Sequence, residues 1–260
     1  MLRRLGKVAV ATGLILSTPA ALAETPARTA PGSPAVQEQI APSPEAAQQD
    51  VVAGTFQLHC KDVDATVQAP AEESVDMICN GTQAAVSIFR GCGIDQRGRI
   101  EIKVRDDASE PARENYGCYD HSTGQINLMS LSGCRKHLAE DKSRSEIDAE
   151  DYYKSVIIHE VAHKILLSQV GSDRISRVAH EYLAYSLQIE ALSAKSRKLL
   201  IDKFAGPGSM LPGSPNAMLL FMNPTVFGVV SYLHFKALAD RCGTIQKVLD
   251  GSIDFPEPYE

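Results

Sequence analysis

The sequence has six cysteines but no C-x-x-C pair, which argues against a cysteine-based zinc site or a redox-active dithiol. No internal repeat is visible, so nothing points to a solenoid or propeller. The apolar run at the N-terminus, Val8 to Ile15, is short; a spanning helix needs roughly 20 such residues. Positive charge is also scarce. The formal net charge is -6, and an acidic chain is a poor partner for nucleic acid or an anionic membrane.

What is present divides the chain into three. Arg3, Arg4 and Lys7, the short apolar run and Ala21-Leu22-Ala23 read together as a secretory signal peptide over residues 1–23. Cleavage there removes those three basic residues and no acidic one, so -6 becomes -9. No cysteine follows the cleavage site, so no lipid or membrane anchor is expected. Residues 24–50, rich in Pro, Ala, Gln and Glu, read as a disordered linker or a short pro-segment. Residues 51–260 suffice for one domain with a substantial core. The expected location is secreted or periplasmic. There an even cysteine count reads as up to three disulfides, with about 15 connectivities open. Cys118 and Cys134 bracket a predicted hairpin and are placed to staple it, though sequence alone leaves the pairing open. Asn80-Gly81-Thr82 is a glycosylation sequon, relevant only in a eukaryotic source.

The patterning is α+β. Thr55–His59 predicts a strand, Ser74–Arg90 a helix interrupted near Asn80-Gly81, and Arg99–Arg105 a strand with Ile100, Ile102 and Val104 on one face. Tyr116–Tyr119 and Gln125–Ser130 predict two strands joined across His121-Ser122-Thr123-Gly124. The remainder is mainly helical: Arg174–Ser193, Val226–Ala239 and Thr244–Leu249, with a Gly/Pro-rich loop at Ala205–Pro215 and a loose acidic tail from Asp254.

The most informative stretch is Val156–Leu167, apolar on nearly every side and carrying His159-Glu160-x-x-His163. Asp148 or Asp151 can open this helix and Gly171 closes it. Two His four residues apart on a helix stand one above the other and can share a metal ion. Glu160, beside them, can polarise a water. Two His leave a zinc site incomplete, and the following helix offers the third ligand. Its predicted core face holds Ile175, Val178, Tyr182, Tyr185, Ile189 and Leu192. Glu181 flanks that face and His180 falls opposite, so burial favours Glu181. Asp173 is spaced to be a ligand too, but a helix N-cap accounts for it.

H-E-x-x-H on one helix and a Glu on the next resemble the gluzincin class of zinc metallopeptidases. The likeness covers about residues 99–193. The metzincin continuation is missing, since Leu166 and Gln169 occupy its positions. The resemblance implies a compact zincin-like fold, a small sheet with an antiparallel edge strand above the active-site helix. It implies Zn2+ held by His159, His163 and Glu181, with Glu160 as general base in peptide hydrolysis. Where many gluzincins carry an acid four residues after the ligand Glu, this chain has Tyr185; its hydroxyl serves a ligand His, or its ring packs in the core. Tyr232 or His234 would help stabilise the oxyanion. Gln125–Ser130 would be the edge strand, with Asn127 and Leu128 against the substrate, a peptide or protein. Ala179–Tyr185 departs from the N-E-x-x-S-D form of the best-known branch, which leaves the subfamily open. Two readings compete with the peptidase: a zincin fold kept as a binding or inhibitory module, and a disulfide-stapled structural domain without metal.

Overall fold

The computed structural model describes residues 55–70, 75–105, 116–171, 174–205, 214–253 and 255. The expected signal peptide and linker, most of the Ala205–Pro215 loop and Asp173 lie outside the described residues.

Ile100, Ile102 and Val104 are buried while Glu101 and Lys103 are exposed, so β3 (Ile100–Arg105) turns one apolar face to the helices. It lies in the middle of a five-stranded sheet ordered β1 (Thr55–His59), β2 (Ala65–Pro70), β3, β5 (Gln125–Met129), β4 (Gly117–Asp120). β2, β3 and β5 are parallel, and β1 and β4 add antiparallel at the two ends. Parallel neighbours need a crossover, and α1 (Val75–Gly91) is the one between β2 and β3. The fold is α+β, with a mixed sheet and helices after it. No helix among the described residues is long and apolar enough to cross a membrane.

α1 runs unbroken through Asn80-Gly81, contrary to the expected interruption. A Cβ at Gly81 would lie 2.9 Å from Ile157 Cγ2. The glycine therefore permits the close crossing of α1 on α3 (Ala149–Val170) rather than breaking a helix. Asp148 caps α3, its carboxylate accepting from Asp151 N at 2.9 Å. Gly171 ends it at φ 83. From Ser155 to His163 α3 is buried on every side, because α1, the sheet and α4 (Arg177–Ala191) all pack on the helix. Ser176 caps α4, its hydroxyl accepting from Ala179 N at 3.2 Å. The N-cap role assigned to Asp173 thus belongs to Ser176. α2 (Leu131–Glu140) and α5 (Ala194–Ala205) lie in stretches where no helix was delimited from sequence. α6 (Ala217–Met222), α7 (Pro224–Ala237) and α8 (Arg241–Leu249) follow, with α7 packed on α4. Phe255, in the tail expected to be loose, is buried with its ring 4.8 Å from that of Tyr182.

Two further expectations are corrected. β5 is not an edge strand: Asn127 pairs with Lys103 on one side and Cys118 on the other, and Leu128 is fully buried. Its main chain is committed to the sheet, so Asn127 and Leu128 offer no backbone edge to a peptide. The antiparallel edge beside α3 is β4. The disulfides are Cys60–Cys79 and Cys92–Cys242. Cys118 and Cys134 form no staple; the first is an exposed thiol on β4 and the second a buried thiol on α2.

Candidate metal centre

His159 and His163 sit one turn apart on the side of α3 that faces α4, and Glu181 comes from the first turns of α4. The three side chains converge. His159 Nε2 and His163 Nε2 are 3.0 Å apart, and Glu181 Oε2 lies 3.5 Å from the first and 3.6 Å from the second. A tetrahedral ion with bonds of about 2.0–2.1 Å sets its ligand atoms roughly 3.4 Å apart. The observed separations bracket that value, and two imidazoles with one carboxylate form a donor set suited to a divalent transition metal. These residues fit an ion, and they fit it on the wall of a cleft of about 860 Å³.

The electrostatics follow from burial and crowding. Burial pushes the pKa of His159 down to about 3, with His163 beside it adding to the effect. His180 is lowered to about 3 for the same two reasons. Burial alone would lower His163, but the adjacent Glu181 carboxylate outweighs it and raises the pKa. Burial would likewise raise Glu181, and His163 and its neighbours hold it well below the usual carboxylate range. The group therefore favours one positive charge facing one carboxylate, a charge pattern that a cation would replace.

Glu160 occupies a different place. It is buried, and burial pushes its pKa up to about 7, against the pull of His163 and the Tyr119 backbone N–H. Its side chain lies against β4: a Cβ at Gly117 would fall 2.7 Å from Glu160 Cγ and 2.8 Å from Oε1. Gly117 is thus the space in which this carboxylate sits. Cys118, also on the cleft wall, is exposed as a residue, but partial desolvation of its sulfur in the cleft and the Glu160 charge raise the thiol pKa, so it is not a ready thiolate.

His180 departs from the sequence expectation. It is buried, not turned away, and its Nδ1 lies 3.1 Å from His163 Nδ1. Because α3 and α7 enclose α4 from two sides, a single core face was too narrow a description. Were the Nε2 lone pair of His163 given to an ion, its Nδ1–H would donate to His180 Nδ1. Tyr185 packs its ring on His159 at 4.5 Å, and Gly228 on α7 leaves room for it, since a Cβ there would lie 2.8 Å from Tyr185 Cδ1. The contact is through the ring. Gln188, unremarked in the sequence, faces the cleft near His159 and draws its pKa upward. Tyr232 and His234 do not line the cleft. Tyr232 is buried in the core, and His234 pairs with the Tyr182 hydroxyl at 2.9 Å. Arg144 and Tyr152 do line it, and no motif marked them.

Fold and site define an α+β chain with a His-His-Glu group able to hold a metal beside a buried glutamate. The chain belongs to the family of unknown function DUF6639, whose model matches residues 65–258, a span containing every residue of the site. No curated protein and no solved structure matches it.

Proposed function

We propose that this chain is a secreted, zinc-dependent peptidase of the gluzincin type. The observation that carries the reading is the convergence of His159, His163 and Glu181 within 3.0 to 3.6 Å of one another, with Glu160 on the same cleft. Zn2+ held there would supply Lewis-acid activation of a water and of the scissile carbonyl. The chain's own residues do the rest. Glu160 takes a proton from the attacking water on its carboxylate and returns it to the departing amine. The outer edge of β4 offers main-chain hydrogen bonds to an extended peptide laid along it. His180 fixes the tautomer and orientation of His163, and the Tyr185 ring limits movement of His159. The test is incubation of the zinc-loaded protein with a mixed peptide library. Cleavage abolished by a chelator and restored by Zn2+ supports the proposal; protein that carries zinc and cleaves no peptide contradicts it.

Three further outcomes follow from the geometry. His180→Leu removes the acceptor for His163 Nδ1–H, and zinc affinity measured by chelator competition should fall about 10–100-fold. An unchanged affinity would show that the pair has no orienting role. Gly117→Ala pushes the Glu160 carboxylate away from β4 while leaving the ligands in place. The kcat should drop up to about 100-fold, as expected for a misplacement of about 1 Å, with zinc content intact. The third concerns pH. The raised pKa of His163 means that a proton competes with the ion, so zinc affinity should weaken as the pH falls from about 8 to about 5. A flat profile in calorimetry would contradict that competition.

A further inference from the structure

We infer that Arg144 makes one end of this cleft a receptor for a substrate carboxylate, placed about three residues from the bond that is cut. The inference rests on the peptidase reading and adds the substrate class. Arg144 stands in the turn between α2 and α3 and lines the cleft. It is held rigidly. Nε donates to Asp141 Oδ2 at 2.6 Å and Nη1 to the Tyr152 hydroxyl at 2.8 Å. Its charge also lies over the rings of Tyr116 at 5.3 Å and Tyr152 at 5.7 Å. These contacts leave Nη2 uncommitted among the described residues. Asp141 is saturated by comparison, since its other oxygen accepts from both the amide and the hydroxyl of Ser143. A guanidinium whose side chain is 22% exposed, pre-oriented and with Nη2 to spare, is suited to a charge-assisted hydrogen bond from Nη2 to a carboxylate.

Position gives the length of the ligand. Tyr152, which anchors Arg144, lies seven residues before His159 on α3, so two helical turns, about 10 Å, separate them along the axis. An extended peptide rises about 3.4 Å per residue and covers that span in about three residues. Direction follows from β4. Antiparallel addition to its outer edge, the pairing it already has with β5, points the carboxyl-terminal end of a bound strand toward Gly117. Tyr116 and Arg144 are at that end. The carboxylate is then the C-terminus of a short product-side segment, or an Asp or Glu side chain at the same distance.

The test reads binding as well as cleavage. The zinc-loaded Glu160→Gln protein is titrated with three peptides of one length: a free acid, its C-terminal amide, and an amide bearing Glu near the C-terminus. The free acid should bind about 10–100-fold more tightly than the plain amide, and Arg144→Gln in the same background should abolish the difference. If the Glu-bearing amide binds as tightly as the acid, the receptor reads a side chain, and the carboxylate claim stands. Equal affinity for all three peptides overturns it and leaves the peptidase reading to wild-type cleavage. Absence of binding by any peptide overturns it together with that reading. Because Arg144 also braces its turn, the acid-to-amide ratio of the Arg144-intact protein decides the matter even if the variant folds poorly.

Discussion

Glu160→Gln should reduce peptide hydrolysis by about 10³-fold, within the range removed when a general base is lost, while the metal content stays at the wild-type level. Glutamine keeps the shape that fits the space at Gly117 but cannot take a proton. The same substitution should have the opposite effect on stability. Burial raises the pKa of Glu160 to about 7, above the ordinary carboxylate value of 4.5. The folded metal-free chain therefore holds a proton that the unfolded chain has released, and wild-type stability falls as the pH rises through that interval. Metal-free Glu160→Gln escapes that loss and should melt higher than metal-free wild type above about pH 7. A variant that loses activity together with its metal would mean that Glu160 holds the ion and does not act as the base.

The second large effect concerns the frame. Cys92, just past α1, is joined to Cys242 at the start of α8, closing a loop of 150 residues that contains the whole candidate site. By chain entropy a loop of that size restrains the unfolded state by about 5 kcal/mol, and native disulfides of small domains are typically worth about 2–5 kcal/mol. Cys92→Ser with Cys242→Ser should lower the unfolding free energy, read from denaturant titration, by an amount in that range. The Cys60–Cys79 bond closes a loop of only 19 residues and should contribute less. A double variant as stable as wild type would mean that packing of α8 alone holds the C-terminal segment.

Legibility differed from element to element for physical reasons. α3 was readable because its ends are chemical, Asp148 at one and Gly171 at the other, and because a helix apolar all round has only an interior place to go. Glu181 was readable as a carboxylate too close to a core to lack a partner. His180 was not, because a helical wheel assumes one buried face and α4 has helices on two sides. The edge strand was misassigned because the resemblance and the order of segments along the chain say nothing about which strand lies beside which. Only the pairing order reveals which of β4 and β5 has an open edge. β2, read as Ala65-Thr66-Val67-Gln68-Ala69-Pro70, has too few large apolar residues to stand out, although Val67 and Ala69 are fully buried. Arg144 carries no motif at all. Its role arises from the rings and carboxylate that fix it at the cleft.

The most direct measurement is metal stoichiometry by elemental analysis on the oxidised protein after reconstitution with Zn2+, beside Glu181→Ala. One zinc per chain in the wild type, largely lost in the variant, is the predicted result. A wild-type protein that takes up no zinc, or a variant that keeps all of it, would contradict the centre built from His159, His163 and Glu181.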